Sequence, residues 1–154
     1  MSVKSYEEAK RLVDEAGGGD FNGIKATDLI DQAEVALNVR FPLTYRRFLN
    51  ELGCGNVGGF EIFGVIDGNF HSSAVPNGIW LTLNERKTIG LDPKFVIVGE
   101  DGDGGYYVID TQKISMSGDA PVLLLSPNGI LDKIADDFGD YFPQMILEIT
   151  FFTG

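Results

Sequence analysis

Helices and strands set in separate stretches of the chain are predicted by three observations. Apolar residues recur at helical spacing in three segments before residue 53. Segments rich in Val, Ile, Phe and Tyr, divided by Gly- and Asp-rich turns, occupy much of residues 60 to 125. Helical period then returns over residues 138–149. With 154 residues and 44% apolar content, the sequence fits one domain, 1–154, with a sizeable core rather than a disordered chain.

The first helix is marked by Ser5 and Glu8 at capping-box spacing, then by Ala9, Leu12, Val13 and Ala16 on one face, and glycines 17–19 stop it. Thr27 is placed to cap a second helix, with Asp28 near its positive end, Ile30, Ala33 and Leu37 on one face, and Asn38 closing it in the left-handed conformation. Pro42 suits the first turn of a third helix, whose stripe is Tyr45, Phe48, Leu49 and Leu52, with Gly53 as its stop. Residues 60–66, FEIFGVI, read as a strand. KFVIVGE and YYVID, joined by DGDGG, read as an antiparallel hairpin, and PVLLL as a further, buried strand ending at the turn SPNG. Residues 78–91 fit either period, since Ile79, Leu81 and Leu83 alternate while Ile79 and Leu83 also suit a helix stopped by Gly90. In the last segment Phe138, Tyr141, Phe142, Met145, Ile146 and Ile149 keep helical period, and Pro143 is tolerated if that helix starts near Asp140.

Between the third helix and FEIFGVI, the stretch GCGNVGG contains a G-x-G-x-x-G at Gly53, Gly55 and Gly58. A dinucleotide fingerprint needs a strand before the glycines and a helix after them, so that backbone N–H groups and the helix dipole meet the pyrophosphate. Here the order is helix, glycines, strand. No acidic residue stands at the ribose-binding distance, and the glycines read as a helix stop and a flexible turn.

Formal net charge is −11, of which residues 100–154 carry −8 from ten acids and two lysines, against −3 over residues 1–99. Such a surface repels phosphate backbones and attracts a basic protein partner. The densest exposed acids are expected at the hairpin turn, Glu100, Asp101 and Asp103. A second group, Asp136, Asp137 and Asp140, suits both a helix N-terminus and an alternative partner surface. The polar N-terminal segment and the lack of a long apolar run predict no membrane partner. The lone Cys54 suits a reducing compartment, so a cytoplasmic protein is expected.

Little in the sequence suggests catalysis. Cys54 and His71 are the only candidates for a thiol–imidazole pair, and Cys54 has no base or helix N-terminus beside it to depress its pKa. One His and one Cys do not furnish a zinc site. Asp101 and Asp103 fail as a calcium loop, because Tyr106 and Gln112 stand where Gly and Glu are needed. No catalytic residue, metal or cofactor is expected.

Residues 30–55, IDQAEVALNVRFPLTYRRFLNELGCG, resemble the SUKH superfamily, the Smi/Knr-like immunity-protein fold. The residues that carry the resemblance are Glu34, Leu37, Phe41, Pro42, Tyr45, Phe48, Leu49 and Gly53. FVIVGEDGDGGYYVIDT is similar to the family's hairpin, and IADDFGDYF to the approach to its last helix. The resemblance implies an α+β fold, with N-terminal helices packed on a mostly antiparallel sheet and a C-terminal helix, and it favours helix over residues 78–89. It also implies a non-enzymatic protein that neutralises a cognate bacterial toxin, often a nuclease, or else a regulatory protein-binding module of the same fold.

Overall fold

A computed structural model describes residues 2–15, 17–71 and 77–153, with side chains described over 5–15, 17–71 and 77–148. Ala16, the side chain of Ile149 and residues 72–76 of HSSAVPNG lie outside the described residues. The elements run α1 (Ser2–Glu15), β1 (Asp20–Phe21), α2 (Thr27–Leu37), α3 (Leu43–Glu51), β2 (Gly55–Val57), β3 (Phe60–Ile62), α4 (Gly78–Thr88), β4 (Phe95–Glu100), β5 (Tyr106–Asp110), β6 (Val122–Leu125), β7 (Leu131–Ala135) and α5 (Phe138–Thr153). β1, β2 and β3 form a small antiparallel sheet, and β4 to β7 an antiparallel meander in sequence order. This is an α+β arrangement with a C-terminal helix.

The main core lies between the helices and one face of the meander. Tyr6 and Ala9 of α1, Ile30 and Leu37 of α2, and Tyr45, Phe48 and Leu49 of α3 are buried there with Val96, Ile109, Val122 and the Phe138–Phe142 turn of α5. Its centre is aromatic: the Phe138 ring lies 5.0 Å from Tyr45 and 5.1 Å from Phe48, tilted or edge-on as the ring quadrupoles prefer. Tyr45 escapes the cost of a buried hydroxyl by donating to Phe63 O at 2.8 Å. A second, smaller cluster covers part of the opposite face, where Phe63, Leu81, Leu91, Phe95, Ile97 and Val108 meet. α4 closes the β4 edge of the meander: Ile97 N–H donates to Thr82 Oγ1 (3.1 Å) rather than to another strand. The period over 78–91 is thus helical, with Asn77 capping Ile79 and Trp80 N–H groups.

Several boundaries differ from the sequence expectation. α1 begins at Ser2, so Ser5 lies inside it and Glu8 binds Arg11 Nε (3.0 Å) instead of closing a capping box. Thr27 is the first helical residue rather than the cap, and Ala26 takes that position without a side-chain bond. Pro42 stands one residue before α3. α5 starts at Phe138, which puts Pro143 beyond the first turn, where it removes one backbone bond. FEIFGVI pairs as a strand only through Ile62. β6 is half-buried beyond Val122 rather than buried throughout, and β7 was not legible at all.

The glycine corner has a packing explanation. β2 and β3 join through Gly58 and Gly59, both at positive φ, as a two-residue hairpin turn requires. Gly55 belongs to β2 rather than to a flexible turn, and a Cβ there would stand 2.2 Å from Asp20 O; at Gly64 it would stand 1.9 Å from Gly53 O. The chain needs bare backbone where these segments touch, and that requirement accounts for the glycines.

Candidate partner-binding surface

Glu100 ends β4, and Asp101 builds the turn that follows. Its Oδ1 accepts from Asp103 N–H and Gly105 N–H, both at 2.8 Å, so this half-buried carboxylate is spent on the hairpin itself. Glu100 and Asp103 are exposed and make no ion pair among the described residues.

Asp136, Asp137 and Asp140 lie at the other end of the sheet. The register sets Tyr106 opposite Leu125 and Leu125 opposite Leu131 at the hairpin tips, whereas Ile109, Val122 and Ala135 align at the far end beside α5. The two acidic groups therefore do not form one patch. Asp136 pairs with Lys133 (2.5 Å), and Asp140 is half-buried in the first turn of α5. Asp137 is only 9% exposed and accepts from Asp140 N–H at 2.9 Å, which makes it the N-cap of α5. Burial first, and then the charges of Asp140, Asp119 and Asp136, push its carboxyl up to about 6. It is a structural cap facing inward and leaves the candidate surface.

Charge is unevenly neutralised. Seven of the eight ion pairs among the described residues lie within residues 7–51, where Lys10, Arg11, Arg46 and Arg47 meet Glu7, Glu8, Glu15, Asp31, Glu34 and Glu51. Four bases of the helical half are consumed there, while Arg40 and Lys25 form no ion pair among the described residues. The sheet half keeps an excess of negative charge, since residues 100–154 hold ten acids and only two lysines, one of them paired with Asp136.

The sequence reading missed a groove beside the acidic hairpin. It has a volume of about 460 Å³ and runs between the end of α4 and the two hairpin tips, over Leu91, Phe95, Tyr106, Leu125 and Leu131. Glu85 forms one wall, held by Tyr106 OH (3.0 Å) and Thr88 Oγ1 (2.8 Å). Burial, with Glu85 beside it, raises the Tyr106 phenol to about 12, so it stays a donor at neutral pH. The lining comes from three separate stretches of the chain, 85–95, 104–106 and 125–131, and no spacing in the sequence announces it.

Cys54 is buried, and burial lifts its thiol to about 11. The charges acting on it are Lys25 and Glu61 rather than His71, which is exposed. A thiol held that far above neutrality is a poor nucleophile. Among the described residues no group of three or more His, Cys, Asp or Glu side chains is placed to hold a metal ion, and no helix is long and apolar enough to cross a membrane.

The residues that carried the sequence resemblance form one structural unit. Leu37, Phe41, Tyr45, Phe48 and Leu49 are buried in the main core, Pro42 precedes α3, and Gly53 follows it at positive φ. Glu34 ties α2 to the loop before α3: its Oε2 accepts from Phe41 N–H at 2.7 Å and its Oε1 pairs with Arg46 at 2.9 Å. A family model described as SUKH_6, SMI1-KNR4 cell-wall, matches residues 27–142, a span that takes in this unit, the meander and the start of α5. With that match over more than half of its length, the chain belongs to the SUKH superfamily.

Proposed function

We propose that this chain is an immunity protein that binds a cognate bacterial toxin in the cytoplasm and occludes its active site, the toxin being a basic, nuclease-type effector. Membership of a family that includes immunity proteins supports the reading. The observation that carries it is the charge distribution: seven of the eight ion pairs among the described residues lie within residues 7–51, while Glu100 and Asp103 stand exposed and unpaired on residues 100–154, which hold ten acids against two lysines. A nuclease site gathers cations to hold phosphate, so a protein surface of fixed carboxylates competes for the same cations and steers encounter. Occlusion needs no turnover, and the buried Cys54 thiol and exposed His71 serve no step in it.

The test is co-purification with the product of the adjoining toxin gene, followed by an assay of that toxin's activity. Stoichiometric capture with loss of toxin activity is expected. Capture without inhibition would favour a regulatory binding module of the same fold, and failure of both with every neighbouring toxin would sink the proposal.

A further inference from the structure

We infer that the groove between the end of α4 and the two hairpin tips seats a partner segment carrying an apolar residue beside an arginine or lysine, with Glu85 receiving the cation. The inference rests on the reading that the chain acts by binding a protein, and it names the anchor and the pocket.

The groove is the part of the second apolar cluster that α4 leaves open. α4 ends at Thr88 and Gly90 turns the chain away, while β6 and β7 continue beyond its reach. Leu91 and Phe95 are buried in the floor, Tyr106 and Leu125 are half-buried, and Ile89 and Leu131 stand 59% and 44% exposed at the rim. The volume of about 460 Å³ is in the range of sites that enclose side chains or small ligands.

Charge selects the occupant. Glu85 is half-buried and hydrogen-bonded by Tyr106 and Thr88, yet pairs with no cation among the described residues. Asp92 and the Gly104 tip of the acidic hairpin complete the wall. Neither nearby base forms an ion pair with Glu85: the Arg86 guanidinium donates to Pro93 O at 2.8 Å and has Asp92 as its neighbouring charge, and the Lys94 ammonium lies 5.1 Å from the ring centroid of Phe95. An apolar floor with a carboxylate at its wall matches a side chain whose aliphatic stem packs and whose cationic head bonds. Arginine placed in this way is a recurrent interface anchor. An acidic or purely apolar segment would leave Glu85 worse off than water does.

The probe is the pentapeptide acetyl-Val-Arg-Leu-Arg-Val-amide, titrated into isotope-labelled protein and followed by amide chemical shifts. Saturable shifts are expected at Ile89, Leu91, Tyr106, Leu125 and Leu131. A peptide with citrulline for arginine should bind roughly tenfold more weakly, the loss of one charge-assisted bond. Glu85→Gln should weaken the arginine peptide by a similar factor with the melting temperature retained, and Leu131→Asp should abolish its binding. No saturable shift at these amides, equal affinity of the citrulline peptide, or an unchanged affinity in Glu85→Gln would overturn the inference. The functional reading is judged separately. Toxin captured equally well by wild type, Glu85→Gln and Leu131→Asp sinks the groove and keeps the immunity role, whereas peptide binding without any toxin capture does the reverse.

Discussion

Asp119 caps α3 from 75 residues away, accepting from Thr44 N–H at 2.9 Å and from Thr44 Oγ1 at 2.8 Å on a single buried oxygen. Thr44 Oγ1 in turn accepts from Gly139 N–H at 3.0 Å, so the N-termini of α3 and α5 share one polar relay inside an otherwise apolar contact.

Thr44→Val tests that relay. The substitution keeps the shape but strands the Gly139 N–H and removes one bond from a buried carboxylate. A loss of about 2–4 kcal/mol is expected, combining a charge-assisted bond with an unsatisfied donor. Urea denaturation measures it; a midpoint unchanged from wild type would mean that the relay is not holding the two helices.

Asp137 predicts a pH dependence. Its folded-state carboxyl is raised to about 6, chiefly by burial, from an ordinary value of 3.8. An acid whose folded pKa is raised weakens the fold as pH climbs through that interval and imposes its full cost above it. Asp137→Asn keeps an oxygen for the Asp140 N–H and removes the charge. The variant should be more stable at pH 7.5 by on the order of 1 kcal/mol, the cost being moderated by water at the carboxylate edge, and should show no gain near pH 3.5. Thermal melts at the two pH values give the answer, and a variant less stable than wild type at pH 7.5 would reverse the assignment.

Tyr141 is fully buried, and its hydroxyl has no hydrogen-bond partner among the described residues. A buried hydroxyl without a bond costs roughly 1–3 kcal/mol. Tyr141→Phe should therefore stabilise the protein by about 1 kcal/mol, since the ring contacts with Phe138 and Tyr107 are retained. Equilibrium unfolding is the measurement, and any clear destabilisation contradicts it.

On the proposed reading the acidic hairpin separates binding, at Glu100 and Asp103, from folding, at Asp101. Glu100→Lys with Asp103→Lys should leave the denaturation midpoint within about 0.5 kcal/mol, as exposed substitutions do. Asp101→Lys should cost about 1 kcal/mol or more, because Asp101 accepts two turn bonds. With a captured toxin, the Glu100 and Asp103 double variant should associate more slowly, and raising salt should slow wild type toward it. Stopped-flow association at two salt concentrations decides this. An unchanged rate in the double variant would move the interface off the hairpin.

Local chemistry made much of this chain legible in one dimension. Leu37, Tyr45, Phe48 and Leu49 lie at helical period, Asn38 and Gly53 stop helices by their tolerance of positive φ, and DGDGG between two β-rich runs makes a hairpin. Each of these signals acts over a few residues, so the sequence alone determined α1, α2, α3 and α5, the β4–β5 hairpin and the charge imbalance between the two halves, while the helical period of α4 was settled by its packing. Tertiary structure decided which carboxylates stay exposed and unpaired among the described residues. Asp101 read as a surface acid, yet it is consumed by its own turn; Asp137 read as either a helix N-terminal cap or a surface acid, and burial leaves it the cap of α5. It also decided the cap that Asp119 gives Thr44, the strand β7 that forms only against β6, and the groove around Glu85. Those features join residues from elements far apart in the chain. Their energies depend on burial and on distance in space, and neither quantity has a period that a sequence can carry.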